Sequence, residues 1–181
     1  MQARSPFRYL TGYPERLTAP VRAMIADGTL GARLLAKYPL RHEVRTDRAL
    51  YDYVGELKAR YLRSADPLSK VAYDNRLHVI QHALGTHTAI SRVQGQKLKA
   101  KREIRVASVF REGPPEFLRM ITVHELAHLK ERDHDKAFYQ LCTYMEPGYH
   151  QFEFDLRAYL VLLEATGERP WASEDSAGET P

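Results

Sequence analysis

The chain has 181 residues, 44% hydrophobic and 28% charged, with a formal charge of +4 and one cysteine. That length suits one globular domain with a core, the composition excludes a disordered chain, and a lone Cys142 excludes a disulfide framework. The longest apolar run, Ala158 to Leu163, is far shorter than the roughly 20 residues that cross a bilayer, and the opening MQARSPFRYL lacks the apolar core of a secretory signal, so a cytoplasmic protein without a membrane partner is expected.

The N-terminal third, residues 1–65, reads as helical. Leu17, Val21, Met24 and Ile25 fall at helical spacing, as do Leu30, Leu34 and Leu35. Asp47 is placed to cap a helix over Ala49–Arg63, with Leu50, Tyr53, Val54, Leu57 and Tyr61 as its apolar stripe. Residues 66–112 read as a small sheet of three or four strands. LSKVAYD, RLHVIQ, HTAISRVQ and the stretch Ile104–Phe110 are short, β-branched and bounded by turn residues. Pro114-Pro115 ends the sheet and opens a helix, because proline suits a helix's first turn. A second helix follows over Asp135–Met145, and an amphipathic one over residues 151–165. Residues 113–165 thus form the last third of one domain, and the polar stretch 166–181, with Trp171, reads as a disordered tail. The order of helices, small sheet and helices predicts an α+β fold. Cys142, inside the helical pattern AFYQLCTYM, reads as a buried core thiol.

The stretch HELAHLKERDH, His124 to His134, carries the chemistry. Histidines four apart project from one face of a helix, so His124 and His128 can meet one metal ion. Glu125 is rotated about 100° from His124, where a general base for a metal-activated water belongs. A catalytic zinc site takes three protein ligands and keeps one position open, and His134 is the third. In a continuous helix His134 would point about 120° away from His128, so the helix must stop between them. The charged run Lys130, Glu131, Arg132 and Asp133 suits such a turn, and Asp133 could cap the next helix. Metzincins have a glycine for this bend where the chain has Glu131, so the bend is made differently here.

Around this set, Tyr149 or His150 could donate a hydrogen bond to a developing oxyanion, and Glu146 or Glu153 could orient a ligand histidine through its second nitrogen. His42, His78, His82 and His87 read as surface or satisfied core histidines. The segment RVQGQKLKAKREIR carries Arg92, Lys97, Lys99, Lys101, Arg102 and Arg105 against one acid, Glu103. It reads as a solvated hairpin, or as a patch for nucleic-acid phosphates or an acidic substrate.

GYPERL, KVAYDN, HALGTHTAISRVQGQKLKAKREIRVASVFR, FLRMITVHELAHLKERDHDKAFYQLC and MEPGYHQFEFD together resemble the YgjP-like metallopeptidase family over residues 9–163. That family is similar to the SprT-like and WLM zinc proteases, which share HExxH, a later histidine and an aromatic a few residues beyond, here Phe138. The resemblance implies a zincin-like, minimal gluzincin-type domain with a small sheet packed on the HExxH helix. It implies Zn2+ held by His124, His128 and His134, Glu125 as the catalytic group, and no other cofactor. The relatives act on proteins bound to DNA. The expectation is therefore a zinc metallopeptidase in which Glu125 activates a zinc-bound water toward a protein or peptide substrate. The alternatives are hydrolysis of a non-peptide amide, or a nucleic-acid or protein-binding module with a structural zinc.

Overall fold

A computed structural model of the chain describes residues 5–75 and 102–172. A short 3-10 turn over Pro6–Leu10 leads into helix α1, Glu15–Ala26, and helix α2, Leu30–Lys37. Val21, Leu30 and Leu34 are buried as their spacing predicts, whereas Leu17 and Leu35 face solvent. Helix α3 runs over Asp47–Tyr61 and buries Leu50, Val54 and Leu57. Its cap is Thr46, whose hydroxyl accepts from the Ala49 N–H at 3.1 Å, rather than Asp47. The Asp47 carboxylate accepts instead from the Tyr73 N–H at 2.9 Å, which ties the start of α3 to the strand it packs on.

Strand β1, Leu68–Asp74, matches the stretch LSKVAYD. Strand β2, Arg102–Ala107, lies parallel to it, with Val71 opposite Ile104 and Tyr73 opposite Val106. A parallel pair cannot be closed by a tight turn and needs a long crossover connection. Among the described residues the sheet consists of these two parallel strands. RLHVIQ, HTAISRVQ and the basic segment up to Lys101, with His78, His82 and His87, lie outside the described residues. The strand expected to reach Phe110 ends at Ala107, and a 3-10 turn, Ser108–Arg111, tucks Phe110 into the core. The Phe110 carbonyl accepts a 2.8 Å bond from Nε2–H of His42, whose Nδ1 accepts from the Val44 N–H at 3.1 Å. His42 is therefore a satisfied core histidine.

Helix α4, Pro115–Ala127, opens on the proline pair and is buried on nearly every side. Residues Phe117, Leu118 and Met120 to His124 are all covered, as are Leu126 and Ala127. It packs against α3, β2 and the last two helices, α5, Lys136–Met145, and α6, Tyr149–Thr166. Gly167 closes α6 at φ 75°, in the left-handed region that glycine adopts without cost. The described residues continue past that point to residue 172. Trp171, assigned to the tail by its polar neighbours, is 4% exposed. Its ring meets Phe117 and Tyr159, and its Nε1–H donates to the Tyr38 carbonyl at 2.8 Å. Among the described residues no helix is long and apolar enough to cross a membrane.

Candidate metal centre

The site forms where α4 ends. His124 sits in the last helical turn, 2% exposed, and His128 occupies the C-terminal cap. The chain then tightens, with Lys130 and Glu131 N–H groups both donating to the Ala127 carbonyl at 3.0 and 2.9 Å. It straightens and enters α5 under a cap supplied by Asp135, whose carboxylate accepts from the Phe138 N–H at 3.0 Å. Asp133 does not fill that role. The break predicted between the histidines is present, and it sets His134 directly before the Asp135 cap.

The three imidazoles converge. Nε2 of His134 lies 3.1 Å from Nε2 of His124 and 3.0 Å from Nε2 of His128. Four-coordinate zinc with bonds of about 2.0–2.1 Å places its nitrogen ligands about 3.3 Å apart, within a few tenths of an ångström of these separations. The chemistry of the donors agrees. Nδ1–H of His128 donates to the Glu131 carbonyl at 3.0 Å, and a carbonyl can only accept. Nε2 of His128 is therefore a bare lone pair aimed at the centre. One proton on His134 could satisfy only one of its two neighbours, whereas a cation satisfies all three nitrogens. Phe138, fully buried, lines the set with its ring centroid 4.6–4.9 Å from each imidazole. These residues fit a divalent ion that favours imidazole.

Burial, then the neighbouring charges of His128 and His134, hold the His124 imidazole well below its usual range, so it stays neutral and able to ligate. Burial also pushes the Glu125 carboxyl up to about 8. A carboxyl near neutrality can take a proton and give it back, which is the requirement for a general base.

Tyr149 is fully buried, and its hydroxyl lies 2.7 Å from Nδ1 of His124. It thus stands behind His124, on the far side of the ring from the converging nitrogens. His150 is exposed, its ring tilted 40° to that of Tyr139 and edge-on to that of Tyr149. Glu146 is engaged elsewhere: one oxygen pairs with Arg119 at 3.3 Å and the other accepts from the Gly148 N–H. Glu153 pairs with Arg157 at 2.9 Å. Neither acid orients a ligand histidine. The Glu131 carbonyl does so for His128, and sequence reasoning misses it because a backbone acceptor leaves no residue-type signal.

The family model described as YgjP-like, metallopeptidase domain, matches residues 68–159. A UTP pyrophosphatase of Escherichia coli (strain K12) is 59% identical over 159 residues, covering 88% of this chain and 95% of that protein. No solved structure matches.

Proposed function

Because the chain belongs to the YgjP-like family, we propose that it is a metal-dependent hydrolase of a nucleoside triphosphate, with UTP as substrate and pyrophosphate as a product. The convergence of three histidine nitrogens carries the hydrolase reading, with Glu125 following His124 in sequence and its carboxyl raised by burial. The substrate is taken from the name of the 59% identical relative. Zinc is the ion we assign to His124, His128 and His134, since three imidazoles with an open position suit it. Such an ion, when bound, supplies Lewis-acid polarisation of the phosphoryl oxygen and lowers the pKa of water.

The chain's own residues do the rest. Glu125 accepts the proton of the attacking water as its oxygen bonds to the α-phosphorus. The bond from that phosphorus to the bridging oxygen breaks, pyrophosphate leaves, and Glu125 releases its proton to solvent or to the leaving group. A triphosphate carries several negative charges, and Arg92, Lys97, Lys99 and Lys101 are suited to neutralise them, whereas Arg102 and Arg105 pair with Asp66 and Asp74.

Peptide-bond hydrolysis is the second reading. The family's description as a metallopeptidase domain and the order His124, Glu125, His128, His134 favour it. In that case Glu125 takes the water's proton and passes it to the leaving amine. One experiment separates the readings. Zinc-loaded protein and a Glu125→Gln variant of matched metal content are offered UTP, the other nucleoside triphosphates and a mixed peptide library. Pyrophosphate release from UTP by the wild type alone supports the first reading, and cleaved peptides alone support the second. Silence on every substrate with metal bound points to the binding-module alternative. Charge reversal at Lys97, Lys99 and Lys101 is expected to raise KM for UTP more than it lowers kcat.

A further inference from the structure

His128 has a partner that fixes its tautomer; His124 has one that does not. A carbonyl accepts only, so the Glu131 oxygen holds the His128 proton on Nδ1. A phenol hydroxyl can donate or accept. If the Tyr149 hydroxyl donated to Nδ1, the His124 proton would sit on Nε2, in the middle of the three converging nitrogens, and no ion could bind there.

The neighbouring imidazoles decide the direction: Nε2 of His124 faces Nε2 of His134 at 3.1 Å, and its lone pair is free for an ion there only with the proton on Nδ1. The two ring planes lie within 14° of parallel, and the Tyr149 oxygen is 2.7 Å from Nδ1. Tyr149 has no exposed surface, so bulk water does not compete for its hydroxyl. The ring has little freedom to turn away, because Tyr149 is packed within the hydrophobic core at the start of α6.

We propose that Tyr149 is a positioning residue that accepts the Nδ1 proton of His124 and thereby keeps the Nε2 lone pair free for the metal. This rests on the metal-site reading above. Hydrogen bonds behind a ligand histidine fix ring orientation and raise ligand basicity, and losing one costs typically 10–100-fold in metal affinity.

The test is zinc affinity by competition with a chromophoric chelator, for the full chain as wild type, Tyr149→Phe and Tyr139→Phe. Tyr139 is the control, since its ring is 6.3 Å from that of His134 and its hydroxyl has no hydrogen-bond partner among the described residues. Tyr149→Phe is expected to bind zinc 10–100-fold more weakly, with Tyr139→Phe matching the wild type. Equal affinity for Tyr149→Phe and wild type overturns the proposal, as does an equal loss in both variants. Proton–nitrogen correlation spectra of the zinc-loaded wild type give a reading that needs no variant. His124 is expected to carry its proton on Nδ1, and a bare Nδ1 overturns the assignment. Failure of the wild type to take up one ion per chain refutes the metal-site reading instead, so the two failures are distinct.

Discussion

Trp171 is the only tryptophan in the chain, and the structure gives it a strong claim on stability. It is 4% exposed, meets Phe117 at 5.5 Å and Tyr159 at 5.1 Å between ring centroids, and donates to the Tyr38 carbonyl at 2.8 Å. Truncating a buried tryptophan to alanine costs about 3–5 kcal/mol in lost transfer energy and residual cavity. The stranded Tyr38 carbonyl adds about 1 kcal/mol, the worth of a typical hydrogen bond. Against a domain stability of about 5–15 kcal/mol, Trp171→Ala is expected to leave the fold marginal. Trp171→Phe keeps most of the apolar contact and loses the donor, so a loss of about 1–2 kcal/mol is expected. Urea unfolding followed by far-ultraviolet circular dichroism reads both, since the substitutions remove the fluorophore. Phe117 lies near the start of α4, and the histidines lie at its end. Metal affinity of the folded fraction is therefore expected to stay at the wild-type value. A loss below 1 kcal/mol for Trp171→Ala would refute this reasoning and return the segment to the status of a tail.

His42 makes stability depend on pH. Burial lowers its pKa below the usual 6.5, so the folded state binds its proton less readily than the unfolded chain. Its contribution is complete above about 6.5 and is lost as pH falls toward the folded-state value. The melting temperature of the metal-loaded protein is expected to fall between about pH 7 and 5, and His42→Gln is expected to flatten that slope; an unchanged slope would count against it. Asp135→Ala removes the cap of α5 and should cost about 0.5–2 kcal/mol. Because His134 is the preceding residue, zinc affinity is expected to weaken as well, and a stability loss with unaltered affinity would separate the cap from the site.

Signals that act within a few residues are legible in the sequence. The period of four between His124 and His128, the proline pair before α4 and the β-branched run of β1 each act through their own local backbone. What the sequence conceals is long-range. Thr46 and Asp47 are both good capping types, and only the Tyr73 N–H, 26 residues away, gives Asp47 another task. The direction of β2 relative to β1 depends on how the chain crosses between them, which neither strand's own residues encode. Trp171 stands alone among small and polar residues, and the rings that cover it come from α4 and α6. Tyr149 was singled out for the open side of the metal. It faces the other nitrogen of His124, since its position is set by the packing of α6 rather than by its distance along the chain.

The bend that brings in His134 shows how one short stretch meets two demands. Among the described residues only glycines have positive φ, so the turn after His128 needs no left-handed residue, and Glu131 can stand where metzincins place a glycine. The turn is made by doubling up on the Ala127 carbonyl, which the Lys130 and Glu131 N–H groups share. That arrangement carries the Glu131 carbonyl back toward the imidazole of His128, where it accepts the Nδ1 proton. The same four charged residues therefore stop the helix, orient the second histidine and deliver the third. The geometry is carried by backbone groups, which leaves the identities at 130–132 largely free. Substitution there by alanine is expected to be tolerated, whereas a proline at Glu131 removes a donated N–H from the turn and with it the alignment of both histidines.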